Sequence, residues 1–416
     1  MARIFPFQPY RYSPAAGDPQ QLVTQPYDKS SPEMQWRYLS QSPYNLVRVD
    51  LGERFPTDTE SKNVYTRSAA QLDQWIADGI LVREDSPSFY AYLQEFALPD
   101  TGERLTRKGF IGLGAVEDYS AGIVHRHEQT LSGPKKDRRD LLNATRCHFG
   151  QIFMLFDDPQ CRVDSVLDAA SQGAPLLNVT DEYDTRHALY RISHPRQIGE
   201  LQSAMADKKL LIADGHHRYE TALAYRDAHP ELEGAKSVMM TFVNLRSAGL
   251  RILATHRVLA GIDSFDAQTF LEKAGARFQV CRFDTANAMQ QTWEQPALHK
   301  IRFGAAFRGV EGVYMLERDR EEGALDVEVL HTELIEGALG ITQDAVRDGL
   351  HIRSIRGLET AVEEVLNGDA EIALLLEATT VQQVANCAFN GGCMPQKSTD
   401  FYPKLLSGLT LYRIET

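Results

Sequence analysis

Apolar and polar positions follow two rhythms along this chain. Between 61 and 81, Tyr65, Ala69, Leu72 and Ile76 recur on one side of a helix that stops near Gly79. Phe89 to Leu98 and Arg107 to Val116 alternate instead with period two around Asp100-Thr101-Gly102, which predicts an antiparallel pair of strands. Ile152 to Phe156 reads as a buried strand and Asp164 to Gln172 as a helix; a strand near Tyr190 leads to a further helix. Two more apolar runs follow, Leu210 to Ala213 and Ser237 to Leu245. Leu46-Val47-Arg48-Val49 reads as a strand after the proline bends at Gln25-Pro26-Tyr27-Asp28 and Ser42-Pro43-Tyr44-Asn45. Strands alternating with helices predict a mixed α/β fold.

From about 265 to 385 the pattern is more regular, with helices at Phe265 to Gly275 and Val362 to Leu366 and strands at Ala305, Val313 to Leu316 and Ile372 to Leu376. This sets an expected organisation of a main domain over 1–264, a second or inserted α/β domain over 265–385, and a segment 386–416 that returns to the main domain. A chain of 416 residues with 43% hydrophobic content is long enough for two or three cores. The net charge of −13 argues against a general DNA- or membrane-binding surface, since both need a basic footprint. Five cysteines without a CxxC pair argue against a zinc ribbon and suit a reducing compartment, where they read as core or incidental thiols. The proline-broken start MARIFPFQPYRYSP is unlike a signal peptide, and no stretch approaches a membrane span. A cytoplasmic protein is expected.

The richest stretch for chemistry is KKLLIADGHHRYETALAYR at 208–226. A short buried strand breaks at Asp214-Gly215, and Tyr219, Ala222 and Leu223 then fall on one helical face. The first N–H groups of such a helix lack internal acceptors and sit at its positive end, so Gly215 and the turn suit an anion, with Arg218 adding a forked cation. Asp214 has two readings, as the helix N-cap or as a ligand or base near a bound phosphate. His216 and His217 can donate to phosphate oxygens, and as neighbours on a helix they point to different sides. His216 and Glu220 are spaced to chelate a metal, though such pairs are more often simple helix couples. His125, His127, Glu128 and Thr130 precede Lys135, Lys136, Asp137, Arg138 and Arg139, four basic residues in five positions. By itself this block reads as a solvated charged loop opening a helix. Lys397, Ser398, Thr399 and Lys404 lie on a proline-broken loop, and GGCMPQKS is not a phosphate-binding P-loop because GxxxxGK[ST] is absent.

DGHHRYETAL, with TQPYD at 24–28, HEQTLSGPKKDRRDLL at 127–142 and MPQKSTDFYPKLLSGL at 394–409, resembles the bacterial and archaeal family called domain of unknown function 1015. Its DGHHR turn is similar to that of the ParB/sulfiredoxin-like fold, whose members bind nucleotides and include free-serine kinases. The resemblance implies a ParB/sulfiredoxin-like core and gives Glu128, Lys136 and Arg138 a nucleotide role. Lys397, Ser398 and Lys404 can neutralise a phosphate, though by themselves they read as an ordinary polar turn, and Tyr27 with Asp28 either closes the pocket on substrate or forms a purely structural turn at Pro26. ATP or ADP with Mg2+ is the cofactor the resemblance implies, with metal ligands undetermined. The reaction expected is phosphoryl transfer to a small hydroxyl compound, free serine first, with Glu128 or Asp214 as base and His216 or His217 assisting. The alternatives are a non-catalytic nucleotide switch of ParB-like type and a phosphoserine or nucleotide phosphohydrolase. Sulfinic-acid chemistry is not expected, because His216 stands where sulfiredoxins carry cysteine. The expected partners are nucleotide and small-molecule substrate, not nucleic acid.

Overall fold

The computed structural model describes residues 1–128, 132–293, 297, 299–321, 323–347, 349–395 and 397–415. The chain forms two compact units, Met1–Arg251 with Pro403–Thr416, and Ile252–Tyr402. Packing thus draws the second unit at 252 and 402, against sequence boundaries of 265 and 385. Lys397 and Ser398 fall in the second unit, while Lys404 falls in the first.

The first unit is built on strands β1 (Ile4–Phe5), β2 (Phe89–Ala97), β3 (Arg104–Ala115), β4 (Val124–His125), β5 (Ile152–Phe156), β6 (Leu177–Thr180), β7 (Arg186–Ile192), β8 (Leu210–Asp214) and β9 (Ser237–Asn244). They form one sheet in the order β4-β8-β5-β9-β3-β2-β7-β6, with β1 added on β3. The β4–β8 and β5–β9 pairs are parallel and the others antiparallel. Helices α1 (Pro32–Gln41), α2 (Val47–Asp50), α3 (Val64–Ala77), α4 (Ser132–Thr145), α5 (Arg162–Ala170), α6 (Pro195–Met205) and α7 (His216–Ala228) complete the unit. The mixed α/β class read from the sequence holds. One sheet face carries Phe110, Met154, Ile212 and Phe242 and buries them under Leu167 of α5, Leu201 of α6 and Tyr219 of α7. A second cluster joins Leu46 and Val49 to Trp75 of α3, Leu141 of α4 and Phe149.

The strand expected at 46–49 is instead the helical turn α2. Asn45 Oδ1 accepts the Val47 N–H at 2.9 Å, and Leu46, Val49 and Asp50 are buried at a helical spacing of three and four. Burial periodicity overrode the β-branched composition.

The second unit has a six-stranded antiparallel sheet of β10 (Thr255–Leu259), β11 (Gln279–Phe283), β12 (Lys300–Phe307), β13 (Val313–Asp319), β14 (Ile352–Arg356) and β15 (Ile372–Leu376). Its order is β11-β13-β12-β15-β10-β14. Helices α8 (Ala267–Gly275), α9 (Ala286–Trp293), α10 (Asp326–Val329), α11 (Gln343–Arg347), α12 (Leu358–Leu366) and α13 (Val381–Phe389) accompany it, and Val365 of α12 packs with Val258, Ala373 and Leu375. Among the described residues no helix is long and apolar enough to cross a membrane.

Candidate functional site

The turn after β8 is shaped by a bulge. Leu211 pairs with Leu155 and Ile212 with Met154, but the register then shifts so that Asp214 stands opposite Phe153. Strict alternation would send residue 214 to the same face as core residue Ile212. The extra residue turns it to the opposite, polar face. Gly215 follows with φ +94° and is itself the N-cap residue of α7, which settles the cap reading of Asp214 in the negative. Asp214 instead accepts the Gly215 N–H at 2.8 Å and meets Lys404 Nζ at 3.1 Å. Burial alone would raise its carboxyl, but Lys404, Arg218 and Lys29 together hold it well below the usual carboxylate range. Such a group is a poor proton acceptor.

Arg218 folds back from the first turn of α7. A Cβ on Gly215 would lie 3.1 Å from its Nε, and one on Gly150 would lie 3.0 Å from its Nη1 and 2.9 Å from Ser407 Oγ. Two missing side chains therefore make the channel that the guanidinium occupies. Its Nη1 donates to the Gln151 carbonyl, which is the only hydrogen bond the group makes among the described residues. Beside it lies a cavity of about 40 Å³, lined by Tyr27, Asp50, Arg138, Gly150, Arg218 and Ser407 among others. At roughly 10 to 15 Å³ for each water this is room for about three, comparable to one phosphoryl group and far below a whole nucleotide.

Arg138 reaches the same cavity from α4 but is already engaged. It donates to Asp50 Oδ1 at 2.8 Å and to Asp137 Oδ2 at 2.8 Å, and its guanidinium stacks 3.9 Å from the Tyr27 ring centre. Its contribution to an anion is charge more than free donors. Lys136 does not share this position: it is exposed and pairs with Asp140 at 2.9 Å. Lys135, three residues before Arg138 and so on its side of α4, pairs with Glu220. Glu220 also meets Arg126 at 3.4 Å, so it is committed to cations and the His216–Glu220 metal reading loses its carboxylate.

The two histidines separate as neighbours on a helix must. His216 is buried with Nε2 unpartnered among the described residues, edge-on to His127 at 4.7 Å between ring centres. Burial, reinforced by His127, keeps it neutral far below the ordinary imidazole range. His127 Nδ1–H donates to the Ile212 carbonyl at 2.8 Å, which fixes its tautomer, and its burial pushes it down to about 4. His217 is half-buried and lowered by burial, with Glu220 and Asp28 opposing and Lys135 and Arg218 adding to the shift. It thus faces the charged rim that includes exposed Asp28, beside Tyr27. Glu128 lies 3.8 Å from His127 Nε2; Thr130 lies outside the described residues. Lys397 and Ser398 are tied down within the second unit: Arg257 Nη2 donates to the Lys397 carbonyl at 3.0 Å, and Ser398 Oγ donates to Pro395.

The polar sheet face holds residues that sequence reasoning missed. Buried Arg107 donates to Gln94 Oε1 at 3.0 Å and to the Pro403 carbonyl, and Gln94 donates to the Lys404 carbonyl at 2.9 Å. Tyr92 and His187 Nδ1 lie 2.6 Å apart, and His187 Nε2 meets Asp181 at 3.1 Å. Burial lowers Arg107 to about 10. The segment 403–410 is thereby fastened over the sheet, and Ser407 pairs through its backbone with Thr24 at 2.9 and 3.2 Å. TQPYD, DGHHR, Arg138 and the Lys404–Ser407 stretch therefore meet in one place. Buried Asp50 and half-buried Gly150 carried no motif that could have announced them, and Ser407 stood unremarked within the 394–409 block.

A family model described as "Protein of unknown function (DUF1015)" matches residues 4–332, and the chain belongs to that family. Among solved structures it is similar to a conserved hypothetical protein from Pyrococcus furiosus, at 12% identity and TM-score 0.34 over 67% of this chain and 87% of that one. It is also similar to a free serine kinase mutant in complex with ADP, at 11% identity and TM-score 0.38 over 70% and 89%. A third likeness is to C-terminally truncated SbnI from Staphylococcus aureus, at 10% identity and TM-score 0.35 over 71% and 85%. A search of curated proteins returns no match.

Proposed function

We propose that this chain binds the phosphate end of a nucleotide, ATP or ADP, beside Arg218 and transfers a phosphoryl group to a small hydroxyl compound. The observation that carries the reading is the Arg218 guanidinium, held in a glycine-lined channel with one hydrogen bond made, next to a cavity of phosphoryl size. Donors fixed before the ligand arrives need no reorganisation to stabilise charge that develops in transfer. Arg138 and Lys135 add positive charge, and the remainder of the nucleotide lies over the open rim.

In the transfer, the acceptor oxygen forms a bond to phosphorus as the bond to the nucleotide's leaving oxygen breaks, and the acceptor proton passes to a carboxylate. Asp28 and Glu128 are the carboxylates suited to that proton, because the cations around Asp214, Lys404 first, depress its affinity for one. Among the described residues no group of three histidine, cysteine or acidic side chains gathers as a metal site, so no step is routed through Mg2+. Free serine is the first acceptor to try, on the resemblance of the DGHHR turn.

The test is incubation of the full chain with labelled ATP or ADP, magnesium and a panel of hydroxyl compounds, alongside thermal shift with each nucleotide. Labelled acceptor in excess of enzyme supports the kinase reading. Tight nucleotide binding with no labelled acceptor supports a binding switch instead, and released phosphate alone supports a hydrolase. Asp28→Asn and Glu128→Gln separate the two carboxylates: loss of the base lowers turnover about 10²- to 10⁴-fold while nucleotide still binds.

A further inference from the structure

Helix α13 ends in a turn that folds the chain back over its own last residues. Gly392 N–H donates to the Cys387 carbonyl at 2.9 Å, Gly391 N–H donates to the Ala388 carbonyl at 3.0 Å, and Gly391 has φ +80°. This is the Schellman pattern of helix ends. A methyl group added at Gly392 would stand 2.8 Å from Cys387 Sγ, so that sulfur rests against the residue just before Cys393. Consecutive Cα atoms are about 3.8 Å apart, which places the Cys393 backbone one chain step from the residue that this sulfur touches. A separate observation agrees. Burial, then Glu328 and then Cys393, push the Cys387 thiol upward, so the two sulfurs lie within electrostatic reach of one another. Both residues are partly exposed and open to a small reagent.

We propose that Cys387 and Cys393 form a reversible intramolecular disulfide by exchange with a small-molecule disulfide. The Cys393 thiolate attacks one sulfur of the reagent, whose S–S bond breaks and whose other half leaves as a thiol after taking a proton. Cys387 then loses its proton to solvent and attacks Cys393 Sγ, expelling the second half as a thiol. Two protein thiols are oxidised and one small disulfide is reduced to two thiols. Cys387 acts second because its raised titration leaves less thiolate for the opening attack. The bond closes the turn at 387–393 and fixes the start of the segment that carries Lys397 and Ser398.

The experiment equilibrates the full chain with a series of reduced-to-oxidised glutathione ratios, quenches with acid, alkylates, and maps the cysteines by mass spectrometry. Alkylatable thiols should fall from the five of the sequence to three, with Cys387 and Cys393 linked, and reductant should restore all five. In Cys387→Ser, Cys393 should retain glutathione as a mixed disulfide. Five free thiols at the most oxidising ratio would overturn the proposal, as would separate glutathione adducts on both residues or pairing of either with another cysteine. The mapping on the natural chain decides the question even if the variant fails to fold.

Discussion

Replacing Arg218 with alanine tests the site at the group on which the reading rests. Among the described residues the guanidinium makes one hydrogen bond, to the Gln151 carbonyl, so its removal costs the fold one charge-assisted bond, about 1.5 to 3 kcal/mol. No strain is introduced, because Gly150 and Gly215 already leave the channel open. A bound phosphate loses a bond of the same kind. One charge-assisted hydrogen bond is worth about 1.5 to 3 kcal/mol, which at about 1.4 kcal/mol per decade is a 10- to 150-fold loss of affinity. Arg218→Lys keeps the charge without the fork and should recover part of this loss. Isothermal titration with ATP and ADP, beside urea unfolding of each variant, reads both numbers. A folded alanine variant that binds either nucleotide within about twofold of the natural chain would remove Arg218 from the site, since that difference is under about 0.5 kcal/mol.

Lys135→Ala should weaken nucleotide binding several-fold while Lys136→Ala leaves it within about twofold, because Lys136 is an exposed helix partner of Asp140; equal effects in titration would reverse that assignment. Burial keeps His127 neutral down to about 4 in the folded chain, whereas a free imidazole protonates near 6.5. The stability it contributes is complete above about pH 6.5 and is lost as pH falls towards 4, at up to about 1.4 kcal/mol per unit. His127→Gln should flatten that slope in urea titrations, and an unchanged slope would contradict the burial argument. For Asp214 the folded value is depressed, so its contribution is present above about pH 3.9 and declines as acid approaches the folded value. Asp214→Asn should shallow this acid limb, and so should Lys404→Met, because loss of the lysine brings the folded value back towards the unfolded one; identical limbs in all three proteins would deny the Lys404 pairing a role in stability.

Much of the frame was legible because burial imposes a period. The strand at 152–156, the hairpin around residue 102 and the helix after Gly215 all follow from spacing alone. The choice between Lys135 and Lys136 was legible too, once α4 begins at Ser132, since residues three apart share a side and neighbours do not. Treating KKDRR as a linear cluster hid that. The bulge before Asp214 left no trace in the sequence, and it decides which face the carboxylate takes.

The polar sheet face was missed for a deeper reason. Tyr92, Gln94 and Arg107 occupy the alternate positions of their strands that ordinarily meet water, and a period of two cannot distinguish water from a polar cover. Their cover is the segment 403–410, which meets Arg107 and Gln94 with the carbonyls of Pro403 and Lys404. Burying a guanidinium without acceptors costs several kcal/mol, so the cover must supply them. Every residue has the same carbonyl, however, and no choice of side chain marks the residues that will present theirs. The side chain that did carry a signal, Lys404, is the one that reaches past the backbone to Asp214. The same short segment thus satisfies the buried arginine through its main chain and sets the charge state of the DGHHR aspartate through its lysine, which binds the fold of the sheet face to the electrostatics of the site.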